Sequence, residues 1–498
     1  MLEAEILKER CAGVLLHITS LPSATGLGDF GTACPFIDFL AAAGMRIWQV
    51  LPLGPTHKDL SPYLCTSSFA GNPYLIDPGW LQDRGWLSNA PKIEDAASVS
   101  DYRDACLNKS FAAFQAKADA RWREKYNTFV DDHNVWLDGF ALFTALWRDA
   151  GGRSWDSWEA TLKHCDPKTL VAVRDRLANQ IAQVKFEQFI FYTRWHQIKQ
   201  YANEKGIHIF GDMPLFVAHD SAEVWLNRQY FKVDNEGHAQ VVAGVPPDYF
   251  SKDGQKWGNP VFDWEQLRSD GFQWWVNRLK AQLELCDLLR IDHFRGLEAC
   301  WEIPAEAESA KEGSWRKTPG FELLQTLKGA VGELPVVAED LGFITDEVNQ
   351  LREQFNLPGM KVMQFAFDGS ADNPYLVQNH VANCVAYTGT HDNNTTLGWY
   401  QSLGEDMQVK VDQIINRPQL AMPWSLIDYT LSSPAKLVVL PMQDILSLGG
   451  EHRLNVPGTA KGNWQWQFSW QQVDAELPAR LHQLLLEHHR TVNVSSIV

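Results

Sequence analysis

A chain of 498 residues, 45% of them hydrophobic, can bury a large core, and a formal net charge of −17 excludes partners that demand a basic face, nucleic acid and anionic membrane surfaces among them. Eight cysteines lie scattered with no C-x-x-C and no zinc-ligand spacing; there is no apolar leader and no apolar run of about 18 residues. A cytoplasmic protein with reduced thiols and no transmembrane helix is therefore expected.

In chain order, short runs rich in Val, Ile and Leu at 14–18, 47–51, 207–211, 288–291, 336–338, 362–367, 384–387 and 437–440 read as strands. They are apolar on both faces and alternate with amphipathic helical stretches, which indicates a parallel sheet covered all round. Right-handed crossovers repeated through eight strands close into an α/β barrel of (β/α)₈ type. Phe36, Ile37, Phe39 and Leu40 form one helical face, with Thr32 and Pro35 suited to its start and Gly44 to its end. Phe272, Trp275, Val276, Leu279 and Leu283 form another. The interval 79–185 is too long for a βα loop and reads as an inserted, mainly helical subdomain on the second loop of a single barrel spanning 1–498.

Acidic residues recur where these strands end. Arg290-Ile-Asp292-His293-Phe-Arg295 closes the fourth, Ala338-Glu339-Asp340-Leu-Gly342 the fifth and Thr390-His391-Asp392-Asn393 the seventh. Such a barrel assembles its active site from strand ends on one rim, and three carboxylates there have a direct chemical use. Glycosidic cleavage needs one carboxylic acid to protonate the departing oxygen and one carboxylate to attack or stabilise an oxocarbenium-like centre.

These segments resemble those of the α-amylase superfamily of TIM barrels, and within it the amylomaltases or disproportionating enzymes, glycoside hydrolase family 77. The resemblance extends to Leu21-Pro-Ser23, Gly26-Leu-Gly-Asp-Phe-Gly31, Gln49-Val-Leu-Pro-Leu-Gly54, Ser61-Pro-Tyr63 and Ser67-Ser-Phe-Ala-Gly-Asn-Pro73. It continues through Gly211-Asp-Met-Pro214, Gly244-Val-Pro-Pro-Asp-Tyr-Phe250, Trp257-Gly-Asn-Pro260 and Asn455-Val-Pro-Gly-Thr459, so it covers nearly the whole chain. It implies a 4-α-glucanotransferase that moves α-1,4-glucan segments between maltooligosaccharide, starch or glycogen chains with retention and releases glucose from short substrates.

By the same resemblance Asp292 is the nucleophile, with Arg290 beside it, and Glu339 is the general acid and base at the retaining separation of about 5–5.5 Å. Asp392, with His391, holds hydroxyls of the distorted sugar, and Tyr63 stacks on it. Ser61, Asp212, Gln255, Trp257, His293, Asp340, Asp368 and Asn463 match positions that line the groove. Residues 245–260, with Tyr249 and Phe250, resemble an acceptor-side loop that covers the groove against water.

An α-glucan hydrolase or branching enzyme of the superfamily shares the carboxylates, and a catalytically dead barrel that binds glucan is the alternative of another class. The Gly26-x-Gly28-x-x-Gly31 pattern fits a dinucleotide site poorly, because seven residues including Pro22 separate it from the preceding strand. The segment 211–220 lacks the asparagine through which many α-amylases hold calcium. No metal and no cofactor are expected.

Overall fold

The computed structural model describes residues 6–247, 252–459 and 461–491. Twelve strands are present among them: β1 (Cys11–Leu15), β2 (Ile47–Gln49), β3 (His208–Pro214), β4 (Val241–Val245), β5 (Gln255–Pro260), β6 (Leu288–Asp292), β7 (Ala299–Pro304), β8 (Ser314–Lys317), β9 (Val336–Ala338), β10 (Gly359–Val362), β11 (Cys384–Tyr387) and β12 (Leu437–Pro441). Eight form one all-parallel sheet in the order β10-β11-β12-β1-β2-β3-β6-β9, curled into a nearly closed barrel.

The two sheet ends meet at a seam made in part by a side chain. The Ala338 amide donates to the Pro358 carbonyl (2.8 Å), and the Asp340 carboxylate accepts the Met360 amide (2.7 Å). Arg352 pairs with the same carboxylate at 3.2 Å. Gly359 is required here, because a Cβ on it would lie 2.2 Å from the Asp340 carboxylate.

Side-chain alternation along the strands divides the core in two. Ile209, Leu289, Ile291, Val336, Val438 and Leu440 face the surrounding helices. Leu15, Ile47, Phe210, Leu288, Val337, Met360, Val362, Val385, Leu437 and Val439 fill the barrel interior. One inward position further along, the interior turns polar: Ile47 gives way to Gln49, Phe210 to Asp212, Leu288 to Arg290 and Asp292, Val337 to Glu339. The polar rim is thus the top layer of a packed apolar plug.

Two expected strands shift. The first begins at Cys11 rather than 14. Of 362–367 only Val362 is in β10; Met363–Phe365 is a 3-10 turn in which the Ala366 amide returns to the Met363 carbonyl. Its apolar residues serve a separate cluster with Val411 and Leu426, so hydrophobicity there marks burial and not strand.

Between β2 and β3 the chain is mainly helical, with Val99–Lys117, Ala120–Asp132, Asn134–Asp149 and Ala178–Glu204 the longest elements. Residue 185 falls inside the last of these, a continuous helix of 27 residues that buries Trp195 against the barrel. The helical insertion therefore grows out of the barrel's own helix. The four remaining strands form an antiparallel sheet in the order β5-β4-β7-β8. The segment 245–260, expected to be loop, contributes β5 to it. That strand is half-exposed and carries Gly258 and Pro260, so no apolar alternation marked it.

Candidate active site

Arg290 sits at the centre. It is buried on β6 and donates through one nitrogen to the fully buried Asp212 carboxylate and through another to Asp292 Oδ1 (2.7 Å). Burial alone would lower its pKa, but Asp212 and Asp292 outweigh that and hold the guanidinium charged. Burial pushes the Asp212 carboxyl up against the opposing pull of Arg290. The Tyr63 hydroxyl donates to the same Asp212 oxygen at 2.8 Å. Its ring lies on His391 in a stack, centroids 5.0 Å apart, with Trp464 tilted beside it at 6.0 Å.

Glu339 is stitched to the loop that carries Asp292. Its amide donates to the Ile291 carbonyl (3.1 Å), and its own carbonyl accepts the Phe294 amide (3.1 Å). His293 takes the left-handed conformation at φ 55°, which presents its amide to Glu339 Oε2 at 2.7 Å. The Leu341 amide reaches the other oxygen at 3.1 Å. Burial, aided by the Asp292 charge, pushes the Glu339 carboxyl up to about 7, with Arg290 and the two amides opposing. Adjacent carboxyl groups thus occupy unlike environments, one paired with a cation and one desolvated.

Asp392 lies at the rim with its side chain half open. The atoms around it push its carboxyl up, but His391 (3.3 Å) and a hydrogen bond from Asn455 Nδ2 (2.7 Å), with Arg290 behind, hold it well below the usual range. Arg453 donates to the Asp392 carbonyl at 2.8 Å. On the other flank, Trp257 meets the His293 ring edge-on at 4.8 Å and donates to Gln255 Oε1 at 3.0 Å. Burial lowers the His293 imidazole to about 4, so it is neutral at pH 7.

The expected residues separate into groups. Asp292, Glu339, Asp392, Arg290, His391, Tyr63, Asp212, His293, Trp257 and Gln255 are joined by the contacts above. The Ser61 hydroxyl accepts the Tyr63 amide at 3.4 Å and shapes the turn beneath that ring. Asp340, expected along the groove, is spent on the barrel seam. Asp368 is exposed and closes its own turn onto the Ser370 amide (2.9 Å). Asn463 staples its own loop, accepting the Val456 amide (3.0 Å) and donating to the Thr459 carbonyl (2.9 Å). Tyr249 and Phe250 lie outside the described residues. Arg453 and Trp464 carry no motif in the sequence, and Asn455 enters there only as the start of a motif, with no link to Asp392. The Asn455-Val-Pro-Gly-Thr459 motif was the available signal, but it stands 63 positions from Asp392.

A family model described as 4-alpha-glucanotransferase, glycoside hydrolase family 77, matches residues 16–472. The chain belongs to the 4-alpha-glucanotransferase family. It is an enzyme of that activity, acting on α-glucans. It is 45% identical to the 4-alpha-glucanotransferase of Synechocystis sp., over 96% of this chain and 97% of that one. To the 4-alpha-glucanotransferase of Thermus thermophilus it is likewise 45% identical, over 95% and 97%. Its structure superposes on the amylomaltase from Streptococcus agalactiae in complex with acarbose with a TM-score of 0.92, at 34% identity, covering 97% of this chain and all of that one. The (β/α)₈ architecture is thus that of the 4-alpha-glucanotransferase family.

Proposed function

We propose that this 4-alpha-glucanotransferase works by retaining double displacement, with Asp292 as nucleophile and Glu339 as acid and base. Asp292 attacks the anomeric carbon as Glu339 gives its proton to the departing 4-oxygen. Glu339 then deprotonates the 4-hydroxyl of an incoming chain, which displaces Asp292 from the covalent glucosyl-enzyme. Asp392 and His391 hold hydroxyls of the distorted sugar, and Tyr63 stacks on it. Asp212, Asp292 and Asp392 around one arginine leave the site favourable to the positive charge that develops on the sugar. The substrates are maltooligosaccharides, amylose and glycogen, each serving as donor and acceptor. The acarbose held by the Streptococcus agalactiae amylomaltase supports a groove for α-linked sugars here. Free thiols at all eight cysteines fit a cytoplasmic setting.

The observation that carries this reading is geometric: Asp292 is held by the Arg290 guanidinium at 2.7 Å, while Glu339, stitched to the same loop, meets the His293 and Leu341 amides in an environment that pushes its carboxyl up. The test uses α-glucosyl fluoride, whose leaving group needs no protonation. Glu339→Gln should keep turning over the fluoride in its first step while losing maltotriose disproportionation, and Asp292→Asn should lose both. Equal loss of both substrates in Glu339→Gln would remove the acid from the assignment.

A further inference from the structure

Asp292 and Glu339 end adjacent strands, and the loops that follow them converge again further out on the rim. Arg295 belongs to the 3-10 turn Phe294–Leu297 after β6, and Phe343 follows β9 by five positions. The Arg295 guanidinium carbon lies 3.7 Å from the ring centre of Trp315 and 5.4 Å from that of Phe343. Trp315, on β8, is the register partner of Trp301 on β7, and their rings meet at 5.1 Å. An array of ring contacts, Trp301 edge-on to Trp315 and Arg295 lying between Trp315 and Phe343, therefore links the small sheet to the loop after β9.

Two features of this array are unusual for mere packing. Arg295 is buried, yet its Nε and Nη1 have no hydrogen-bond acceptor, a costly state for a guanidinium. Phe343 is 65% exposed, and among the described residues only Val135 is a more exposed large hydrophobic. Gly342, at φ 84° in open space, turns the chain just before it.

Strand order places the array relative to the reaction centre. β6 and β9 are neighbours; in the eight-strand order β12 lies four places from β6, and β1 four places from β9, across the barrel mouth. The loop after β12 carries Asn455 and Trp464, which hold Asp392 and flank Tyr63. A chain laid over the mouth from Trp464 and Tyr63 past Glu339 leaves the centre on the Phe343 side.

We propose that Phe343, backed by Arg295 and Trp315, is a stacking position for a glucosyl unit of the acceptor chain beyond Trp257 and His293, and so sets a preference for longer acceptors. This rests on the assignment of Glu339 as acid and base. The flat apolar ring takes the C–H face of the sugar, and Arg295 packed beneath it limits the orientations the ring must give up on binding. Glucose, bound next to Glu339, is too short to reach it.

The experiment measures transfer from one fixed donor, maltotriose, to glucose and to maltoheptaose as acceptors. Phe343→Ala and Phe343→Leu should raise KM for maltoheptaose about three- to tenfold while leaving glucose unchanged. Phe343→Trp, which restores a flat face, should recover the wild-type value, as Leu, which restores only cover over Arg295, does not. No change with either acceptor, an equal change with both, or rescue by Leu would overturn the proposal and leave Phe343 as a cap on Arg295. If Glu339→Gln instead retained wild-type disproportionation, the parent assignment would fall, a result distinct from any Phe343 phenotype.

Discussion

Asp212 and Arg290 are register partners on the adjacent parallel strands β3 and β6, and both side chains point into the barrel. Neighbouring strands thus place a carboxylate against the guanidinium that also holds Asp292, with no loop involved. Removing one charge from such a buried group strands the others. Arg290→Met should lower kcat by at least about 10²-fold, since Asp212 and Asp292 then face each other without a cation. Steady-state disproportionation of maltotriose checks it, and a change confined to KM would contradict it.

The pH profile follows from Glu339. Its carboxyl, pushed up to about 7, must be protonated when the first bond breaks, so kcat/KM should fall as pH rises through that region. In Glu339→Gln measured with glucosyl fluoride, that basic limb should vanish. A limb that persists in the variant belongs to another group.

Asn455 should act through Asp392. Its amide is among the groups that favour the ionised carboxylate, so Asn455→Ala should raise the Asp392 pKa. Losing a hydrogen bond to a charged group should also cost about 10- to 100-fold in kcat, with little change in KM. Circular dichroism and thermal melting separate this from misfolding, and an unchanged kcat would reduce Asn455 to a loop residue.

Cover over the acceptor side should decide transfer against hydrolysis. Replacing both Tyr249 and Phe250 by Ser should raise the ratio of new reducing ends to transferred glucosyl units, as water reaches the intermediate more often. Counting reducing ends against free glucose during maltotriose turnover measures the ratio.

A chelator should leave activity unchanged. The acids of 211–220 are already engaged, Asp212 by Arg290 and Tyr63 and Asp220 by the Trp155 amide (3.2 Å) and Trp147 Nε1 (3.3 Å). Activity lost in EDTA and restored by calcium would overturn this.

Much of the molecule was legible in one dimension because its signals are local. Apolar runs separated by helical periodicity are enough for a parallel barrel, and acids at the ends of β6, β9 and β11 are enough to locate the rim. The family motifs then attach roles to Asp292, Glu339 and Asp392. What stayed hidden depends on partners distant in the chain. Asp340 stands next to Glu339 and reads as a groove residue, yet the barrel closes beside it, and the Met360 amide and Arg352 claim its carboxylate. Asn463 carries a motif position but folds back on Val456 and Thr459. Asn455 reaches Asp392 only because β12 and β11 are adjacent. Composition and periodicity report which face of an element is buried; they carry no information on which remote polar group meets it there. Closing the eight strands into a ring decides that, because it converts sequence separation into neighbourhood, and hydrogen-bond and charge pairing depend on distance in space.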